Sequence, residues 1–307
     1  MPHDHRHGHD HHHHHPDLDS GDKRVAAAVG VNIGLTIVQI VAGILSGSLA
    51  LVADAIHNLS DALTLVIAFF ARRVGKRPAD ARMTFGYGRA EVVAALVNYT
   101  TLIVIAIYLA AEGIERLFNP QQVEGWIVVI VAGGALVIDT VTALLVHRLS
   151  KDSSNMRAAF LHNVADALGS VAVIIGGTLI LLYDWRLVDP IVTLLISGYI
   201  LWHSWLGIVP VIRVLMLGTP EGTDLDDVLT ALQAVDGVNS VHHVHVWYMQ
   251  ESQAALEAHV VLDGTRSEIA VKQAVKTLLQ RRFGIVHSVL ELEAPDEICA
   301  DQQVIGH

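Results

Sequence analysis

Cysteine is all but missing from this sequence. Cys299 stands alone close to the C-terminus, which excludes a disulfide framework within the chain and a cysteine-rich zinc cluster. Charge is sparse too. Asp, Glu, Lys and Arg make up 17% of the 307 residues, against roughly 25% in ordinary soluble domains. Hydrophobic residues make up 52%, and the mean hydropathy is +0.46. That balance excludes an ordinary soluble protein. An apolar leader is lacking as well: Met1 to Asp19 is polar and holds nine histidines, including the run His11 to His15. It does not read as a signal peptide, so the first apolar stretch is expected to insert as a permanent span. A segment of this composition cannot build a core and is expected to be disordered. Either it is an expression tag or, as the interspersed Asp, Arg and Gly suggest, a tail that gathers metal.

What is present is a series of six apolar stretches: Val25 to Leu45, Leu49 to Ala71, Ala90 to Ala111, Val123 to Val146, Ala158 to Tyr183, and Leu187 to Leu217, which Pro190 and Pro210 are expected to interrupt. Each reaches the roughly 20 residues that a helix needs to cross a hydrocarbon core. Small residues (Gly30 and Gly34, Gly133 and Gly134, Gly176 and Gly177) would let helices approach closely. The net charge of −11 conceals a loop asymmetry. Arg72, Arg73, Lys76, Arg77, Arg82 and Arg89 fill the link between stretches two and three. Arg148, Lys151 and Arg157 lie between four and five, and Lys23 and Arg24 precede the first. The alternate loops hold little beyond Arg116 and Arg186. The positive-inside rule therefore predicts both termini in the cytoplasm, as an even number of spans requires.

Two of these stretches carry the same polar signature. His57 and Asp61 in the second, and His162 and Asp166 in the fifth, are each a His followed four positions later by an Asp. Four residues make about one helical turn, so each pair shares a face. Ionisable groups at membrane depth are costly and mark function. Two imidazoles and two carboxylates would hold one divalent cation tetrahedrally and cancel its charge. Asp54 falls near the same face as His57, as an outer acceptor or a helix-end residue. Asp139 in the fourth stretch is either a bundle contact or a proton relay. Asn32 and Gln39 read as contacts between helices.

Nitrogen and oxygen donors suit zinc, exclude a soft copper(I) site and disfavour magnesium or calcium; cobalt, nickel and cadmium remain open. Binding requires neutral His and ionised Asp, so protons and metal compete for the site. A membrane zinc hydrolase is disfavoured. The chain has no His-Glu-x-x-His helix, and a closed four-ligand site leaves no position for water. No enzyme activity, organic cofactor or nucleic-acid partner is expected.

Past Thr219-Pro220 the composition becomes that of a soluble domain. The pattern predicts a helix over 224–235, strands over 241–249 and 255–262, a helix over 267–282 and a strand over 285–293. This is a small α+β, ferredoxin-like unit with one sheet and its helices on one side. About 75 residues are marginal alone and would gain from dimerisation. Four segments result: a His-rich tail (1–22), six transmembrane helices (23–218), a cytoplasmic domain (219–296) and a short tail (297–307). Strand alternation puts His243 and His245 on one face and His242 on the other.

The paired motifs, six spans, His-rich tail and small C-terminal domain resemble the cation diffusion facilitator family of zinc transporters. The stretches 46–57, 84–91 and 241–247 add to the likeness. The resemblance implies a homodimer in a bacterial inner membrane that exports cytoplasmic zinc in exchange for protons. The transport ligands it implies are His57, Asp61, His162 and Asp166. It also implies regulatory zinc binding in the C-terminal domain, matching at His242, His259 and His287. Glu291, Glu293 and Asp296 could complete that shell or form a solvated edge. Some members bind a second zinc after span two through an Asp and two His. Here Asp80 matches, but Met83 and Tyr87 stand at the His positions, and no metal is expected there. An acidic residue common before the junction is replaced by Leu217, which leaves Arg89 without that partner. Alternatives are an exporter mainly of cobalt or nickel, or a membrane metal sensor.

Overall fold

The computed structural model describes residues 18–149, 154–250, 253–296, 299 and 302–306. The histidine run of the N-terminal tail lies outside the described residues. Six long helices come first: α1 (Leu18–Ser46), α2 (Leu49–Gly75), α3 (Ala90–Phe118), α4 (Gly125–Leu149), α5 (Ser154–Tyr183) and α6 (Val188–Leu215). α2 to α6 each contain a stretch long and apolar enough to cross a membrane, and the described apolar part of α1, Gly30–Ser46, is shorter. α1 starts at Leu18, inside the stretch read as tail.

α6 runs unbroken where its prolines predict interruption. Pro190 sits in the first turn, where an amide N–H has no helical partner in any case. Pro210 lies inside, and apolar helices accept such a residue when neighbouring groups satisfy the freed carbonyl.

The described chain divides into two compact units, one of residues up to Ala62 with Gln122–Trp185, the other of Leu63–Gln121 with everything from Arg186 on. In the first, α4 packs along α5 and α1 lies on α4. Gly177 permits the α4–α5 approach: a Cβ there would meet Val128 Cγ1 at 2.9 Å. Gly30, Gly34, Gly133 and Gly134 do not act this way, since a Cβ on any of them would meet open space. In the second unit α3 packs along α6, with Leu102, Ala106 and Ile200 buried between them.

The second unit also contains the soluble part: α7 (Leu225–Gln233), β1 (Val238–Gln250), β2 (Gln253–Leu262), α8 (Glu268–Phe283) and β3 (His287–Glu293). Asp224 caps α7 by accepting from the Asp226 amide at 3.0 Å. Gly284, left-handed at φ 69°, closes α8. The sheet order is β1-β2-β3, with β1 antiparallel to β2 and β2 parallel to β3. Val228 and Leu232 of α7, and Val271, Val275 and Leu279 of α8, share one core with Val244, Val246, Leu256 and Ala258 of the sheet. The domain is α+β, as the pattern predicts.

Candidate metal centres

α2 carries His57 and Asp61 one turn apart, and α5 carries His162 and Asp166 in the same spacing. The side chains of Asp61 and His162 lie outside the described residues. The other two meet: His57 Nε2 stands 3.2 Å from Asp166 Oδ1, with both residues 8% exposed. An imidazole nitrogen and a carboxylate oxygen at this spacing are either hydrogen-bonded or one edge of a four-coordinate zinc shell, which spans about 3.3 Å for metal–ligand bonds near 2.0 Å.

Around this pair the helices place further polar groups. Gln39 of α1 donates from Nε2 to Asp54 Oδ2 at 2.9 Å, and the Asn58 amide faces Gln39 Oε1 at 3.5 Å. Ser170 Oγ lies 3.4 Å from both Asp54 Oδ2 and Asp139 Oδ2, so this α5 hydroxyl bridges carboxylates of α2 and α4. Asp54, Asp139 and Asp166 are all buried. The apolar stretches of α1, α2, α4 and α5 contain no Lys or Arg. Carboxylates so placed require a positive partner that the helices do not supply. A cation or protons can supply it.

A second cluster forms in the soluble domain. β-sheet register sets His242 opposite His259, and His259 opposite Glu291 on β3. Glu293, one pleat further along β3, is buried; its Oε1 lies 2.6 Å from His259 Nδ1 and 3.4 Å from His242 Nε2. Cys299 folds back so that Sγ lies 3.2 Å from Glu293 Oε1, and its amide donates to Glu293 Oε2 at 3.3 Å. Burial pushes the Glu293 carboxyl up. Contacts with His259, with the Cys299 thiol and amide, and with His242 outweigh it and hold the group below the ordinary range.

β1 is irregular here. Its register shifts between His242 and His245, and His243 adopts φ 47°. This bulge defeats the simple alternation, because the His242 and His243 rings come within 5.0 Å of each other instead of occupying opposite faces. His287 is not brought to the cluster. It opens β3 opposite Ala255, exposed and four residues, about 13 Å, before Glu291.

The family model for the cation efflux transmembrane domain matches residues 25–216, and that for the cytoplasmic domain of cation efflux proteins matches 220–294. The chain belongs to the cation efflux, or cation diffusion facilitator, family. It is 36% identical to the metal cation efflux system protein CzcD of Cupriavidus metallidurans, over 85% of this chain and 83% of that one. It is 34% identical to the zinc transporter ZitB of Escherichia coli, over 90% and 88%. It is also similar to the cadmium, cobalt and zinc/H(+)-K(+) antiporter of Bacillus subtilis, at 32% over 85% of each. Among solved structures, the metal-bound C-terminal domain of CzcD from Cupriavidus metallidurans is 33% identical. It covers 23% of this chain and 99% of its own, with a TM-score of 0.23.

Within this cation efflux chain the loop between α2 and α3 has its own use for Asp80. Its Oδ1 accepts from the Arg82 and Met83 amides at 2.8 and 2.9 Å, and its Oδ2 accepts from Tyr87 Oη at 2.7 Å. The tyrosine bond, then the two amide bonds, hold the Asp80 carboxyl below its ordinary value. Arg89 donates instead to the Tyr248 and Met249 carbonyls at the end of β1.

Sequence reasoning missed Ser170, Asn58 and Cys299. Ser170 is four residues, about one turn, beyond Asp166, a spacing that could have drawn attention to it. Nothing local marks Cys299.

Proposed function

We propose that this cation efflux protein exports zinc from the cytoplasm in exchange for protons. The ion binds between α2 and α5 through His57, Asp61, His162 and Asp166. The observation that carries this reading is the buried contact of His57 with Asp166, set among carboxylates in apolar stretches without Lys or Arg. Bound metal neutralises the group in one direction of the cycle, and protons neutralise it in the other. Similarity to proteins named as zinc, cadmium and cobalt transporters supports the substrate class.

The remainder of the proposal is a homodimer in a bacterial inner membrane with both termini cytoplasmic. Residues 23–218 carry out transport, and 219–296 serve dimerisation and metal regulation. His242, His259 and Glu293 are the natural ligands of the regulatory ion. The test is zinc uptake into everted vesicles under an imposed pH gradient, wild type beside Asp166→Ala. Gradient-driven flux that the substitution abolishes is the expected result. Equal flux in both proteins overturns the site, and no flux in either overturns transport. Competition by cadmium, cobalt and nickel then orders the metals.

A further inference from the structure

The chain's single cysteine lies where a fourth metal ligand belongs. Nε2 or Nδ1 of His242 and His259, a Glu293 oxygen and Cys299 Sγ all fall within 4.8 Å of one another. Metal–nitrogen bonds of about 2.0 Å and one metal–sulfur bond of about 2.3 Å give tetrahedral edges of about 3.3–3.5 Å. Three contacts are already near that range: His242 to Glu293 at 3.4 Å, Cys299 to His259 at 3.6 Å and Cys299 to Glu293 at 3.2 Å. The His259–Glu293 contact, at 2.6 Å, is a hydrogen bond that must lengthen on binding.

Two independent observations point to a ligand. His242 is 3% exposed, and its Nε2 is aimed into the cluster with no hydrogen bond among the described residues. A buried nitrogen left so is costly unless something binds it. His259 Nε2 faces Glu291 Oε2 at 3.4 Å, the outer carboxylate that commonly orients a metal-bound imidazole.

The same tail is stitched to the bulge in β1. The amides of His243 and Val244, turned away from β2 by the register shift, donate to the Gln303 and Val304 carbonyls at 2.9 and 2.8 Å.

We propose that Cys299 completes a resident site for a borderline or soft divalent ion, zinc or cadmium, with His242, His259 and Glu293, and that the ion latches the C-terminal tail onto the bulge of β1. This rests on reading the soluble domain as metal-regulated, and it names the ligand and the moving part. Two neutral imidazoles, one carboxylate and one thiolate balance the charge of a divalent ion, with the thiol proton released to solvent on binding. The sulfur sets the site apart from magnesium and calcium, which take oxygen.

Because the chain has one cysteine, any thiol reagent reports on the tail alone. The experiment uses the full chain in detergent with Asp166→Ala to weaken the intramembrane site, and cadmium or zinc alone as probe. Cadmium should raise a thiolate charge-transfer band. Zinc should slow Cys299 alkylation on the order of tenfold or more and protect the His243 and Val244 amides from hydrogen exchange. Cys299→Ser, a tail change that leaves the core intact, should abolish the band and the amide protection. It should weaken binding at the domain by at least the roughly 10–100-fold that loss of an outer partner costs.

If His242→Ala removes an ion while Cys299 stays equally reactive with and without metal, the latch is wrong and the regulatory reading survives. If neither His242→Ala nor Cys299→Ser alters metal binding, both are wrong. A cadmium–thiolate band without amide protection overturns the latch and leaves the ligand.

Discussion

The two clusters use the same acids and imidazoles in opposite settings. In the membrane, the donors come one turn apart along preformed helices, beside a network in which a hydroxyl and two amides, Ser170, Gln39 and Asn58, gather around Asp54 and Asp139. In the soluble domain, they come from facing positions of three strands and from a tail that folds back over them. Helix register aligns each His with its Asp before any ion binds. The second set depends on a bulge and a returning chain, both of which an ion can fix in place. An ion in transit needs the former kind of site, and a resident ion can use the latter. The donor chemistry agrees: nitrogen and oxygen bind a borderline metal exchangeably, and a thiolate holds it more tightly.

The largest effect separating the two should come from His57→Ala. Vesicle zinc flux is expected to fall by more than the roughly 10–100-fold typical of removing an outer partner, while zinc still protects Cys299 from alkylation. Loss of both would mean the clusters are not independent. Next in size is Leu256→Ala, which empties a fully buried position on the strand that carries His259. Such a truncation costs about 2–5 kcal/mol, so thermal unfolding of the soluble part should shift downward and zinc protection of Cys299 should weaken. Zinc affinity of the intramembrane site should be unchanged, as measured by calorimetry on the Cys299→Ser background. Smaller again is Ser170→Ala. It removes the hydroxyl shared by Asp54 and Asp139 and leaves every predicted ligand in place. Zinc flux is expected to fall by less than the roughly 10–100-fold typical of removing a direct outer partner of a ligand, with the shift appearing as an altered pH dependence. Flux that vanishes would make Ser170 part of the shell itself.

The architecture was largely legible because membrane helices and soluble strands announce themselves by period and length. Six apolar stretches became six helices, and the α7-β1-β2-α8-β3 order followed the pattern. The alignment of His with Asp inside each helix was legible from the four-residue spacing, whereas the approach of His57 to Asp166 is decided by how the two helices pack. The soluble cluster was only half legible. His242 and His259 face each other through ordinary register, but His287 drops out because pairing of β3 with β2 puts it beside Ala255. Glu293 was already among the acids that could complete the shell, and Cys299 enters because the chain turns back within six residues onto that buried carboxylate, a turn with no sequence period. The bulge at His243 is equally silent, for a left-handed residue there is a non-glycine exception. The glycine pairs misled for a related reason: small residues permit close approach, and tertiary packing decides which of them is used.

The smallest test concerns Asp80, a carboxylate held by a phenol and two amides. No ion is needed to complete these partners. Because the folded carboxyl titrates below its ordinary value of 3.8, its contribution to loop order is complete above that pH. It is lost only as pH falls through the lowered value. Tyr87→Phe removes the largest cause of the lowering and should move the acid transition of the Met83 amide upward, toward the ordinary carboxylate value. Hydrogen exchange at Met83 as a function of pH measures it. Zinc should change neither curve, in contrast to the His243 and Val244 amides. A zinc-dependent Met83 amide would place a third ion in this loop and end the distinction between an acid closed by its own chain and one that awaits a metal.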